Sequence, residues 1–241
     1  MEHTLISIVG PTAIGKTALA VALAQHFQTE IISADSRQFF KEMSIGTAVP
    51  SKEELAAAPH HFIQHKSIHE SYSVGDFEKE AIALLEDKYQ TNKIVIIVGG
   101  SGLYVDAVVK GLDDFPKVPA HIRTSLNGVL EKEGIAALQE KLKLVDPDYY
   151  KIVDLGNPHR LIRALEVSIF SKTPYSTFRN KKKKKRSFKT ISIGLTAERP
   201  IIYDRINRRV DIMMEQGLLN EVAGLKNYRS CLLYTSPSPR D

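Results

Sequence analysis

The chain has 241 residues, 43% hydrophobic and 25% charged. This composition belongs to a globular protein with a core, and it excludes a disordered chain or a collagen-like repeat. The length allows one large domain or a domain carrying an insertion. No apolar run approaches the roughly 18 residues that span a bilayer, so no membrane segment is expected. The N-terminus lacks the pattern of a secretory signal. The single cysteine, Cys231, cannot close an internal disulfide, and a cytoplasmic setting is expected. The formal charge is +5, yet six cations sit in one run, Lys181 to Arg186, and without them acids outnumber bases. That local run is either a solvated loop or an attraction for a polyanion.

Strand and helix signals alternate through the first hundred residues. Leu5 to Val9 is a β-type run, Ala18 to Phe27 is rich in Ala and Leu and helical, and Glu30 to Ser33 is a second short strand. Ser51 and Glu54 have capping-box spacing and open a helix that Pro59 stops. From Ser73 a longer helix places Phe77, Ala81, Leu84 and Leu85 on one face. Ile94 to Val98 is apolar throughout, the pattern of a strand covered on both sides. These repeats predict a parallel sheet with crossover helices. Asp113, Asp114, Pro116 and Pro119 mark a linker, and Ala120 to Ser171 is helical with breaks at Pro147 and Pro158. Thr190 to Leu195 returns to a strand, and Arg199 to Asn227 is mainly helical. The fold class is thus α/β, a parallel-sheet core of residues 1–112 and 189–229 with a helical insertion at 113–188. Residues 230–241 break abruptly from the preceding pattern and read as a non-native tail.

Gly10-Pro11-Thr12-Ala13-Ile14-Gly15-Lys16-Thr17 satisfies the P-loop pattern between a strand and a helix. The glycines let backbone N–H groups converge on one anion, and the helix N-terminus adds partial positive charge. Lys16 supplies a full charge, and the Thr17 hydroxyl is placed to hold magnesium. The pattern specifies phosphate or diphosphate, in the nucleotide-binding and ATP-binding class of folds, without naming the molecule. The Ile94–Val98 strand ends in Gly99-Gly100-Ser101, with no carboxylate to organise a metal. The candidate acid is Asp35 after the second strand, which is either a cap or a functional group at the sheet's carboxyl edge. His61, His65 and His69 are spaced by four, but Ser67 and Ile68 argue against the continuous helix a metal site would need.

Several motifs occur in register: the P-loop, Ser33-Ala34-Asp35-Ser36-Arg37-Gln38, Ile45-Gly46-Thr47-Ala48, Pro59-His60-His61, Tyr72 to Phe77, and Val98 to Tyr104. Asn157 to Val167 and Arg205 to Val210 follow. Together they resemble the bacterial tRNA dimethylallyltransferases, also called tRNA isopentenyltransferases, over about residues 4–229. The resemblance implies a prenyl transferase that moves a dimethylallyl group from dimethylallyl diphosphate to the exocyclic amine of the adenosine beside the tRNA anticodon. It implies that Lys16, Thr17 with magnesium, and Arg209 neutralise the departing diphosphate, and that Asp35 accepts the amine proton. Ser101 stands where the family usually has threonine and keeps the hydroxyl. Asp35, Ser36, Arg37, Gln38 and Ser101 are expected at the adenosine, splayed out from its loop. Arg123, His159, Arg160, Leu161, Ile162 and Arg163 are expected on the anticodon stem-loop. His60 and His61 read as structural.

The family continues past Tyr228, so the chain reads as C-terminally truncated. A monomer without a membrane partner is expected. Two rival readings stand beside this one: a P-loop small-molecule kinase or adenylate isopentenyltransferase, and an inactive RNA-binding fragment.

Overall fold

The computed structural model describes residues 3–179 and 185–228. The expected tail at 230–241 and most of the lysine run lie outside these residues. The chain divides into two compact units, with boundaries after Leu112 and after Lys183.

The first unit is built on five parallel strands in the order β3-β2-β4-β1-β5. These are β1 (His3–Val9), β2 (Ile31–Ser33), β3 (His60–His61), β4 (Ile94–Val98) and β5 (Phe188–Gly194). Because β4 is apolar at every position, it buries both faces. Val95 and Ile97 join Leu5, Ile32, Phe39 and Phe77 on one side. Ile96 and Val98 join Ile6, Ile8 and Ile31 on the other. The helix α1 (Lys16–Phe27) covers this second side with Ala20 and Ala24, small residues that permit close approach to the sheet. The helix α3 (Val74–Lys88) covers the first side with Phe77, Ala81 and Leu85, while Leu84 is only partly buried. Ser73 and Asp76 form a capping box at its start, as Ser51 and Glu54 do for α2 (Lys52–Ala57). The helix α4 (Gly102–Lys110) follows β4, and after β5 come α9 (Arg199–Glu215) and α10 (Leu218–Gly224).

Two features differ from expectation. The strand β3 was not foreseen, since two histidines carry no alternation to read. The strand β5 starts at Phe188, two residues ahead of the expected Thr190 and inside the stretch assigned to the insertion. Arg186 also belongs to the core unit. It donates to the Glu78 carboxylate at 2.7 Å and to the Ala107 carbonyl at 2.6 Å. The last cation of the basic run is therefore structural and withdrawn from any polyanion. The three evenly spaced histidines part company: His61 meets Glu30, His65 packs among Phe39, Phe62 and Tyr72, and His69 stacks edge-on with Tyr228.

The second unit is helical: α5 (Ala120–Glu133), α6 (Ile135–Val145), α7 (Pro147–Tyr150) and α8 (Pro158–Ser171). Both prolines that break the pattern begin a helix, where the missing N–H costs nothing. The core is Leu126, Leu138, Leu142, Leu161, Ala164 and Leu165. Asp146 is buried, and it accepts from the Tyr149 N–H and from the N–H and hydroxyl of Ser176. Leu161 and Ile162 are 0% and 4% exposed. Their side chains hold α8 against its neighbours.

Glu166 is also buried. Arg123 grips it through two 2.7 Å hydrogen bonds, and Arg163 donates a third at 2.6 Å. Burial alone would raise the carboxyl pKa, but the two guanidinium groups outweigh it and hold the pKa below the ordinary range. A depressed carboxylate pKa stabilises the fold above the unfolded value near 4.5, and that contribution is lost as pH falls through the folded value. Glu166→Gln is expected to cost about 1–3 kcal/mol at neutral pH. It should also flatten the loss of stability below pH 4.5, measured by denaturant titration across pH.

Candidate active site

Register decides what meets at the carboxyl edge of the sheet. Ile8 and Ser33 both lie level with Val98, so the chain leaves β1, β2 and β4 at the same height. The three exits carry the P-loop, Asp35 and Gly99-Gly100. They are pulled together tightly. The Ala34 N–H donates to Val98 at 2.7 Å, and a methyl group on Gly99 would fall within the Ala34 backbone. Only glycine fits there.

The P-loop has the backbone its sequence demands. Gly10, Ala13 and Gly15 take φ of 152°, 62° and 102°, and Gly15 caps α1 in the left-handed conformation. A side chain on Gly10 would come within 2.6 Å of the Leu195 carbonyl oxygen. The Lys16 ammonium lies across the loop and donates to the carbonyls of Gly10 and Pro11 at 3.0 and 2.8 Å. Burial is the main reason its pKa lies below that of an ordinary lysine. The Arg209 charge adds to the effect, and the Asp35 carboxylate opposes it. Lys16, Asp35 and Arg209 therefore share one electrostatic environment.

A cleft of about 790 Å³ runs beside these groups. Thr12 to Thr17, Asp35, Gln38, Gly99 and Gly100 form part of its wall. The loop residues Ile45, Ala48, Val49 and Pro50 form an apolar stretch, and α9 contributes Arg205, Arg208 and Arg209 with Ile212 and Met213. The spacing of the arginines by three and four places them on one helical face, a signal that was legible in the sequence. Arg205 donates to the Ile14 carbonyl at 3.2 Å, and Arg208 pairs with Asp204. His60 also lines the cleft. Its Nδ1 meets the Ala58 carbonyl, its Nε2 is buried without a hydrogen-bond partner, and burial is the main cause of its lowered pKa.

The remaining expected site residues divide. No helix follows Asp35; its Oδ1 accepts from the Arg37 N–H at 3.1 Å in a turn. Ser101 accepts from the Ser36 N–H and shares a 3.1 Å contact with the Ser36 hydroxyl. Ser36, Arg37 and Ser101 are outside the cleft lining but directly beside Asp35. Gln38, expected on RNA, is committed internally. It accepts from the Ser33 hydroxyl and donates to the Thr47 and Ala48 carbonyls. In the helical unit, His159 and Arg160 are exposed at the start of α8. Arg123 and Arg163 are bound to Glu166 as described, and Arg163 also lies over the Phe115 ring. Among the described residues no cluster of three His, Cys, Asp or Glu side chains is placed to hold a metal. Nor is any described helix long and apolar enough to cross a membrane.

Comparison with known proteins places this arrangement. A family model described as IPP transferase matches residues 38–237. A tRNA dimethylallyltransferase of Christiangramia forsetii is 61% identical over 225 residues, covering 93% of this chain and 74% of that protein. One from Flavobacterium johnsoniae is 60% identical, covering 92% and 74%. Among solved structures, the full-length tRNA isopentenylpyrophosphate transferase of Bacillus halodurans is 39% identical, with a TM-score of 0.61 over 94% of this chain and 71% of that one. A eukaryotic dimethylallyltransferase described as acting on tRNA is 28% identical, with a TM-score of 0.79 over 99% of this chain and 58% of its own. The chain belongs to the IPP transferase family, and it is an enzyme of the kind its relatives are named for, the tRNA dimethylallyltransferases.

Proposed function

We propose that the chain transfers a dimethylallyl group from dimethylallyl diphosphate to the exocyclic amine of the adenosine adjacent to the tRNA anticodon, releasing diphosphate. The observation that carries this reading is the convergence of the P-loop, Asp35 and the α9 arginines on one cleft that also has an apolar wall. A diphosphate bearing a short apolar chain matches both halves of that lining.

In the reaction the allylic C–O bond breaks and a C–N bond forms to the adenosine amine. The P-loop N–H groups, Lys16 and Arg209 take up the charge that develops on the departing diphosphate. Asp35 accepts the proton that the amine loses, and it orients the amine lone pair beforehand. Ser101 and Ser36 hold the turn that carries Asp35. Magnesium fits this donor set, since a single Thr17 hydroxyl leaves most of its coordination to phosphate oxygens and water, the usual arrangement for that ion. When bound, it neutralises diphosphate charge. Arg37, exposed beside Asp35, and His159, Arg160, Arg163 and Arg123 on the helical unit are the residues for RNA. We place the chain in the cytoplasm as a monomer.

The test is transfer of labelled dimethylallyl from its diphosphate to an anticodon stem-loop with adenosine beside the anticodon. Transfer that increases with added magnesium is expected. Turnover of ATP in the absence of RNA, with no transfer, would instead select a small-molecule kinase.

A further inference from the structure

The loop that supplies the apolar wall of the cleft has an unusual anchor. Glu221, in the first turn of α10, receives three consecutive backbone N–H groups: Ser44 at 2.9 Å, Ile45 at 2.7 Å and Gly46 at 2.9 Å. Successive N–H groups turned toward one point form an anion-binding concavity, and here the anion is a carboxylate from 175 or more residues away. Bonds of this charge-assisted kind are about twice as strong as neutral ones. The contact explains Gly46. A methyl group there would press on the Leu218 side chain at 3.1 Å and on the Glu221 carboxylate at 3.3 Å.

Other side chains brace the same loop. Gln38 donates to the carbonyls of Thr47 and Ala48, and Gln64 to the Met43 carbonyl and the Ser44 hydroxyl. These come from the core side. Glu221 ties the loop to the α9–α10 corner, which turns at Gly217 with φ of 97°. The corner has few other holds: neither α9 nor α10 contains a buried residue. Yet α9 carries Arg205 and Arg209 to the P-loop side of the cleft.

We propose that Glu221 is a positioning residue for the transfer reaction. By clasping the Ser44–Gly46 amides it fixes two walls of the cleft against each other: the apolar loop, and the helix that delivers Arg209. The proposal rests on the reading of the cleft as the dimethylallyl diphosphate site. Glu221 does not touch the reacting atoms. Its effect is on how well the diphosphate and its apolar chain are held.

Glu221→Gln replaces one acceptor oxygen with a donor facing the same N–H groups. The expected result is about a tenfold rise in KM for dimethylallyl diphosphate, with KM for the tRNA substrate within about twofold of wild type. Hydrogen exchange at the Ser44, Ile45 and Gly46 amides should accelerate. Gly46→Ala keeps the carboxylate but displaces it, and should shift the same KM in the same direction by a smaller factor. Unchanged exchange at these amides in Glu221→Gln overturns the clasp. Faster exchange with KM for dimethylallyl diphosphate unchanged, or with both KM values raised equally, reduces Glu221 to a structural contact and overturns the proposal. The exchange measurement needs no catalysis, so a wild-type chain without transferase activity refutes the function read for the cleft separately from the clasp.

Discussion

Asp35→Asn is expected to lower kcat for dimethylallyl transfer by about 10²–10⁴, the range for loss of a positioned general base. Asparagine keeps the size of the side chain, and its amide oxygen can still accept from the Arg37 N–H, so the turn should survive. It cannot take a proton from the amine. KM for dimethylallyl diphosphate should fall or stay the same, because the Asp35 carboxylate lies in the cleft wall with the P-loop and repels the diphosphate. The Lys16 pKa should drop further, since the Asp35 charge now opposes the effect of burial. Steady-state kinetics with separate kcat and KM, on an anticodon stem-loop, would check this. A variant with wild-type kcat would remove Asp35 from the chemistry.

The second large effect concerns stability. Arg186→Ala is expected to destabilise the core unit by about 3–5 kcal/mol, because it breaks a buried ion pair with the Glu78 carboxylate. The side chains of the pair are 13% and 9% exposed, so solvent offers little compensation. Replacing both residues together, as Glu78→Leu with Arg186→Met, should recover most of the loss, since an apolar pair of similar volume avoids the cost of desolvation. Lys185→Ala, at the exposed neighbouring position, should change stability by less than about 0.5 kcal/mol. Chemical denaturation of the four proteins is the measurement. Equal stability of Arg186→Ala and Lys185→Ala would contradict the buried pairing.

These two residues mark how far the sequence could be read. Asp35 was legible because it follows a short strand whose end must lie near the P-loop in any parallel α/β sheet. Its height was then set by pairing that β4 makes with both β1 and β2. The strong local signals behaved the same way: the capping boxes at Ser51 and Ser73, the apolar run of β4 and the two helix-starting prolines all express short-range chemistry. Arg186 was not legible. It sits among lysines, and nothing local distinguishes a cation that will be buried from five that resemble it. Its partner is 108 residues away. Glu221 was hidden for the same reason, since its meaning depends on amides that only the folded chain brings near. Leu161 and Ile162 lie in the core of the helical unit, as the apolar face of α8 implies. Gln38, close to Asp35 in sequence, holds the loop through the Thr47 and Ala48 carbonyls.

The order of the sheet has a consequence for how the chain is made. Leu5 in β1 has Val95 and Thr190 as its neighbours in register. The strand β1 is therefore flanked by strands that leave the ribosome much later. At about 5–20 residues per second, β1 waits roughly 5–20 s for β4 and roughly 10–40 s for β5. Until then its apolar residues have no permanent partners, and the glycine-rich turn that follows it has no frame. Pairings so distant in sequence make folding slow. The nascent chain thus passes through a long interval in which apolar strands lack their neighbours, and the sheet edge that frames the P-loop is complete only after β5 has emerged.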